Sequence, residues 1–333
     1  MNLVFFNLKD VEKKAVEEWK AQNPEINLEV TEKDLSLETK DMLIGKDAIL
    51  ISQIKAIDDE VYKFAKEQGV KVLSTRSAGF DMYNKALLKE LGIKLTNVPS
   101  YSPNAIAEHT VCAALQISRN TAKIRRNVEK FNFTWDSDLI CREIRTLTVG
   151  IIGTGRIGTQ AARLFKGLGA KVIGYDLYPN DAAKEVLTYV DSIEELASQS
   201  DILSLHLPGL PEYTHVINDE LIAKMPDRAI ILNAGRGNLV DTKAVLRALD
   251  SGKLLGAGLD VYENESKFIT KDFSKEGDID DEVLKELIKR DDVIFTPHTA
   301  YFSETAVENL VQGALNSAKN VVESGNDACL VEY

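Results

Sequence analysis

Three cysteines, Cys112, Cys141 and Cys329, are all that this 333-residue chain contains. Their odd number and wide spacing support neither a disulfide framework nor a zinc pattern, so no metal is expected, and they fit a reducing cytoplasm. No apolar run approaches the roughly 18 residues that span a bilayer. The opening Met1-Asn2-Leu3-Val4-Phe5-Phe6-Asn7 is too short and too weakly basic to read as a signal peptide. No block of lysine and arginine offsets a formal charge of −12, which argues against nucleic acid or an anionic membrane as a main partner. Long repeats and low-complexity tracts are also missing. What is present, 44% hydrophobic and 28% charged residues, is ordinary for a globular protein, and the length suggests about two domains.

One stretch organises the rest. An apolar run, Leu147 to Ile152, reads as a buried strand and leads into Gly153-Thr154-Gly155-Arg156-Ile157-Gly158. A helical pattern from Thr159 to Phe165 follows, then a second apolar strand, Ala170 to Tyr175, ending at Asp176. Strand, glycine turn, helix, strand and terminal acid in that order form a dinucleotide-binding fingerprint. In it Gly153 allows the tight turn, Gly155 lets backbone approach a pyrophosphate, and Gly158 lets helix pack on strand. Unpaired N–H groups at the helix start face the diphosphate, with Arg156 a solvated or diphosphate-flanking charge. Asp176 sits where a carboxylate accepts from the adenosine ribose and would repel a 2′-phosphate, which favours NAD over NADP.

The first hundred residues alternate strands with helical segments, which implies a parallel sheet covered by helices. Strands are expected at 3–6, 26–30, 48–51, 70–73 and 93–96. Helices are expected near 58–68 and 83–91, and Asp10 could cap another that carries Val11, Ala15, Val16 and Trp19. Pro99 to Pro103 reads as a linker. A single long helix follows, Asn104 to roughly Phe131 with Asn104 as a possible cap, and its length suggests a homodimer contact. Beyond the dinucleotide unit, strand–helix pairs continue to Phe295, loosened by an acidic insertion from Glu263 to Asp292. Pro297 to Tyr301 reads as a second linker, and a final helix, about Ser303 to Val322, returns to the first domain. The expected domains are therefore 1–100 plus 300–333, interrupted by 101–299.

Polar residues stand just past strand ends, where α/β sheets place their sites. Arg236 follows Ile230 to Gly235, Asp260 closes Gly256 to Leu259, Glu265 lies five residues on, and His298 follows Ile294 to Pro297. With these residues the chain resembles the D-isomer-specific 2-hydroxyacid dehydrogenases. The likeness is carried by 149–176, by Leu232-Asn-Ala-Gly-Arg-Gly-Asn-Leu-Val-Asp241, by Gly258-Leu-Asp-Val-Tyr262 and by Thr296-Pro-His-Thr-Ala300. It is strongest to the D-lactate and D-2-hydroxyisocaproate branch, through 97–109 and Tyr301-Phe-Ser-Glu-Thr-Ala-Val307.

The resemblance implies a Rossmann-type, doubly wound NAD domain inserted into a smaller, flavodoxin-like α/β substrate domain. It implies an enzyme that reduces a short 2-keto acid to the D-2-hydroxy acid with NADH, beside the homodimer and cytoplasmic location expected from the long helix and the cysteines. Arg236 would clamp the substrate carboxylate, a planar anion that suits a guanidinium fork. His298 would give the carbonyl oxygen its proton. Glu265 would hydrogen-bond the other ring nitrogen and favour imidazolium; Glu263, two residues away, is the rival for that place. Asp260, Asn233, His206 and Pro208 would lie beside the cofactor, with a structural role for His206 equally open. Ser52, Ala78, Gly79, Tyr101 and Tyr301 would meet the substrate. Ser52 stands about where lactate-acting relatives often carry an aromatic, so a longer or branched side chain could fit. His109, within the expected long helix, and His215, in a turn-rich segment, are read as non-catalytic. The alternatives are another superfamily member, such as a hydroxypyruvate or glycerate dehydrogenase, and a non-enzymatic NAD-sensing partner like the related C-terminal-binding corepressors.

Overall fold

Short strands, two of them without an exposed face, build the first sheet. They are β1 (Asn2–Phe5), β2 (Asn27–Val30), β3 (Ala48–Ile51), β4 (Val72–Thr75) and β5 (Lys94–Thr96), joined in part by α1 (Lys13–Gln22), α2 (Asp59–Glu67) and α3 (Lys85–Leu91). All pairs are parallel in the order β2-β1-β3-β4-β5, the flavodoxin-like winding. Every residue of β3 and β4 is buried, as a parallel sheet covered on both faces requires. The computed structural model describes every residue except Ile54, Asp81, Glu276 and Tyr333. The chain divides into two units, Met1–Ser102 with Phe302–Tyr333, and Pro103–Tyr301.

The second unit contains α4 (Pro103–Ser118), α5 (Thr121–Glu129), β6 (Thr148–Ile152), α6 (Arg156–Gly167), β7 (Lys171–Tyr175), α7 (Asp181–Lys184), β8 (Thr188–Tyr189) and α8 (Ile193–Gln199). It continues with β9 (Ile202–Leu205), α9 (Asp219–Lys224), β10 (Ala229–Asn233), α10 (Thr242–Asp250), β11 (Leu254–Leu259), α11 (Glu282–Lys289) and β12 (Val293–Phe295). The order β12-β11-β10-β9-β6-β7-β8 is parallel throughout. Alternate residues feed opposite faces: Ile152, Leu203 and Ile231 enter one core, and Ile151, Ile202 and Ile230 the other. The order reverses between β6 and β9, and such a switch point opens a crevice at the strands' carboxyl ends.

The last helix, α12 (Glu304–Ser324), belongs to the first unit and is capped by Ser303, whose Oγ accepts from Ala306 N at 3.3 Å. It ties back through Trp19, which is fully buried and donates from Nε1 to Asn316 Oδ1 at 2.8 Å.

Four local expectations are corrected. Asp10 does not cap a long helix: residues 10–12 form one 3-10 turn, and α1 begins at Lys13. Glu12 causes this. It is buried, accepts from Lys9 N at 2.9 Å, and pairs with Arg76 Nε at 3.0 Å, while Val11 stays 49% exposed. The long helix from 104 to 131 is two helices, because Asn120 adopts φ 52, a left-handed conformation that interrupts helical bonding and that asparagine tolerates. Asn104 is no cap either, since Pro103 already starts the helix, where its missing N–H costs nothing. Within the acidic stretch α11 forms because Asp281 Oδ1 caps Leu284 N at 3.0 Å. Among the described residues no helix is long and apolar enough to cross a membrane.

Candidate active site

The turn after β6 is shaped by what its glycines exclude. Gly153 adopts φ +86, and a Cβ there would lie 2.7 Å from the His206 carbonyl oxygen. At Gly158 a Cβ would lie 1.9 Å from the Gly153 carbonyl oxygen, so helix α6 could not seat on the strand. At Gly155 a Cβ would meet no atom of the described residues within 4 Å. That open side faces no internal packing demand, which fits a position kept bare for a ligand. Gly155 also caps α6 without any side-chain bond, leaving the first-turn N–H groups available to an anion. Arg156 is exposed and Ile157 half-buried at this helix start. Gly155→Ala should therefore weaken NADH binding by on the order of tenfold, the cost of one misplaced methyl, without lowering the melting temperature. Fluorescence titration with NADH beside a thermal melt checks this, and an unchanged affinity, or a lowered melting temperature, would refute it.

Asp176 follows β7 and is brought beside the turn by a backbone bond from Gly153 N to Tyr175 O at 2.9 Å. Its Oδ2 accepts from Thr154 N at 2.6 Å and Thr154 Oγ1 at 3.1 Å, and its Oδ1 from Tyr178 N at 2.9 Å. Thr154 gives its only hydroxyl hydrogen to the acid, so the Tyr189 hydroxyl, 2.6 Å away, must donate to it. The carboxylate is thus oriented before any ribose arrives. These residues fit a dinucleotide as they stand.

On the other side of the switch point, β10, β11 and β12 lie side by side, and their ends are stitched together. Asp260 N donates to Asn233 O at 2.9 Å, Thr296 N to Leu259 O at 3.0 Å, and His298 N to Asp260 O at 2.7 Å. Strand spacing therefore keeps the ends of β10 and β12 about 10 Å apart. Asn233, only 1% exposed, shapes the turn that carries Arg236: its Oδ1 accepts from Gly235 N at 3.0 Å and its Nδ2 donates to Arg236 O at 2.9 Å. The Arg236 side chain is exposed, with Nη1 donating to Gly235 O at 2.8 Å. Gly237 lets this turn press on the next one, since a Cβ there would lie 2.2 Å from the Tyr262 carbonyl carbon.

That next turn supplies the carboxylate for the histidine. Glu265 Oε1 lies 2.8 Å from His298 Nδ1, and Glu265 Oε2 accepts from Tyr262 N at 3.0 Å. Glu263 instead meets His215 Nε2 at 2.6 Å, so the two acids serve different histidines. His298 itself adopts φ 57, a strained conformation for a non-glycine residue. Asp260 holds it there: buried at 3% exposure, its carboxylate accepts from Thr296 Oγ1 at 2.6 Å, Thr299 N at 2.8 Å and Ala300 N at 2.9 Å. With Nδ1 occupied by Glu265, Nε2 is the nitrogen left to meet a substrate.

His206 lies past β9, where its Nε2 is 2.9 Å from Ser204 Oγ. Burial pushes its imidazole from 6.5 down to about 4. The neutral ring is the folded form, so the unfolded chain takes up a proton first as pH falls below 6.5. Stability is then complete above pH 6.5 and drains away towards pH 4. Relative to His206→Asn, the wild-type protein should lose about 2 kcal/mol between pH 7 and 5. Denaturant midpoints at both pH values check it, and parallel losses in the two proteins would contradict it. Pro208, two residues on, is exposed.

The first unit holds its own candidates at the ends of β3 and β4. Ser52, half-buried, donates from its backbone N to Asn7 Oδ1 at 3.4 Å. The loop after β4 is shaped by Ser77 Oγ donating to Gly79 O at 2.5 Å and by Asn97 Nδ2 donating to Ala78 O at 2.7 Å. Arg76, at its root, is 2% exposed and paired with Glu12. Tyr101 accepts on its carbonyl from Asn309 Nδ2 at 2.6 Å. Tyr301 is the last residue of the second unit and half-buried. Inspection of the sequence missed Thr296, Tyr189 and Gly237. Thr296 carried a signal, standing two residues before His298 at a strand end, whereas Tyr189 and Gly237 act through contacts that spacing does not show.

Comparison with known proteins bears on the family and the fold. The model of the D-isomer specific 2-hydroxyacid dehydrogenase NAD binding domain matches residues 111–300. A D-lactate dehydrogenase of Treponema pallidum is 46% identical over 332 residues, covering 100% of this chain and 99% of the relative. A solved D-2-hydroxyisocaproate dehydrogenase is 36% identical, with a TM-score of 0.93 and 99% of each chain covered. The NAD-complexed structure of a D-isomer specific 2-hydroxyacid dehydrogenase from Lactobacillus delbrueckii ssp. bulgaricus is 34% identical, with a TM-score of 0.91 and 100% of each chain covered.

Proposed function

This chain belongs to the D-isomer specific 2-hydroxyacid dehydrogenases, and from that membership we infer that it reduces a short 2-keto acid, pyruvate or 2-ketoisocaproate among them, to the D-2-hydroxy acid. It is an NAD-dependent oxidoreductase. The observation that carries the residue roles is the Glu265–His298 pair at 2.8 Å on a strand end two places from the Arg236 turn.

Bound NADH supplies the hydride. Gly153, Thr154, Gly155, Arg156, Ile157 and Gly158 take the diphosphate, and Asp176 the adenosine ribose. His206, Pro208, Asn233 and Asp260 line the rest of the cofactor site. Arg236 grips the substrate carboxylate with two parallel N–H bonds and leans on the keto oxygen, drawing charge from the carbon that is to be reduced. His298 gives its Nε2 proton to that oxygen as the C–O double bond becomes single, so one hydride and one proton make the alcohol. Glu265 keeps the ring turned and balances its charge through Nδ1. Ser52, Ala78, Gly79, Tyr101 and Tyr301 are the further residues assigned to the substrate. A keto-acid series of rising side-chain size, followed by NADH absorbance at 340 nm, tests the reading. Turnover is expected with at least one member, and its size optimum reports on Ser52; silence across the series would refute it.

We also place the enzyme in the cytoplasm, on three cysteines that form no disulfide, and as a homodimer. The support for a dimer is apolar surface around α5. Phe131 is 84% exposed, Phe133 68% and Trp135 99%, large apolar side chains that a partner subunit would cover. A groove lined by Val111, Leu115 and Leu164 adds to it. Trp135→Glu should raise the dimer dissociation constant by roughly 30-fold, the scale of one aromatic anchor. Sedimentation of the unaltered protein as a monomer at micromolar concentration would refute the dimer.

A further inference from the structure

The buried Asp260 carboxylate has no lysine or arginine within ion-pair distance among the described residues; its nearest cationic candidate is His109, with Nε2 3.7 Å from Oδ1. His109 reaches it because α4 lies directly on β11. Gly258 and Gly256 make this approach possible: a Cβ at Gly258 would lie 2.9 Å from Ala113 Cβ, and one at Gly256 would lie 2.5 Å from Ile117 Cγ2. Residues 109, 113 and 117 share one helix face, and residues 256, 258 and 260 share one strand face. Ile117 covers Gly256, Ala113 covers Gly258, and the next turn sets His109 over Asp260.

Hydrogen counting then fixes how the histidine bonds. Its Nε2 is 3.0 Å from Thr296 Oγ1. Thr296 has one hydroxyl hydrogen and donates it to Asp260 Oδ1 at 2.6 Å. Towards His109 the hydroxyl can only accept, so Nε2 carries a hydrogen and donates. The donors run in one direction, from His109 through Thr296 to Asp260, and Asp260 holds the backbone of residues 299 and 300 directly after His298.

Resting on the reading of His298 as proton donor, we propose that His109 is a positioning residue for the reaction: its Nε2–H locks the Thr296 hydroxyl onto Asp260 and so holds the left-handed His298 turn in place. A histidine that merely filled space on α4 would need only its bulk. The proposed role needs an N–H at one point.

Glutamine can place an amide N–H where Nε2 stands, whereas asparagine reaches only as far as Nδ1. Steady-state kinetics with NADH and the best keto acid should give His109→Asn a kcat about tenfold below wild type, as expected for a small misplacement of a reacting group. The keto-acid KM should stay within about twofold, because the carboxylate clamp is untouched. His109→Gln should recover to within about threefold of wild type. Thr296→Val should match His109→Asn, Thr296→Ser should stay near wild type, and the His109→Asn/Thr296→Val pair should be no worse than Thr296→Val alone. Equal rates for His109→Asn and His109→Gln, at any level, would overturn the proposal, as would a loss confined to KM. If the His109 variants fail to fold, the Thr296→Val and Thr296→Ser contrast decides alone, and equal rates there overturn it. A wild-type protein inactive on every keto acid would instead refute the function itself.

Discussion

His298→Gln lowers kcat by roughly 10²- to 10⁴-fold, the usual worth of a positioned acid–base group. Glutamine sets its amide where Nε2 stands and can still meet the keto oxygen, but it has no proton to release at neutral pH and gives up the bond to Glu265, which now sits 2.8 Å from Nδ1. The side chain is 36% exposed, so the fold does not depend on it, and the melting temperature should move little. Affinity for NADH should also hold, because the Gly153 turn and Asp176 lie across the sheet on the far side of β9. A kcat within tenfold of wild type, with saturating NADH and keto acid, would remove His298 from the chemistry.

Arg236→Lys lowers kcat/KM by at least about a hundredfold, through both a higher KM and a lower kcat. A guanidinium presents a planar fork that meets both carboxylate oxygens and still reaches the keto oxygen, whereas an ammonium is a point charge that can serve one partner well. The turn leaves the replacement little freedom to adjust: Asn233 holds it from below, and Gly237 is pressed against the Tyr262 carbonyl. NADH affinity measured by fluorescence should remain within about threefold, since the clamp is assigned to the substrate and not to the cofactor. Substrate kinetics near wild type in this variant would show that the carboxylate is held elsewhere.

How much of this was legible in the sequence depended on whether the cause was local. The Gly153–Gly158 turn and Asp176 could be read because strand, turn, helix and strand are consecutive, and the β6–β7 ladder sets them beside one another. The residues after β10, β11 and β12 could be found because apolar runs end just before them, although spacing alone left Glu263 and Glu265 as rivals. Three-dimensional contact separates those two: His215 takes Glu263 and His298 takes Glu265. The break between α4 and α5 was missed because one left-handed asparagine does not disturb an otherwise continuous helical pattern. Helix α11 was missed because its acidic flanks resemble a loop, until Asp281 is seen to cap it while accepting from the Tyr262 hydroxyl at 3.0 Å on each oxygen. The loop at Ala78 and Gly79 carries no distinctive chemistry of its own and could be suspected only through the family resemblance.

The most direct test is the handedness of the product. The enzyme is incubated with NADH and the keto acid it turns over fastest, and the hydroxy acid is resolved on a chiral column. Membership of the D-isomer specific family predicts the D enantiomer alone, formed in equal amount to the NADH consumed. The L enantiomer, a racemate, or NADH oxidation without hydroxy acid would contradict the account.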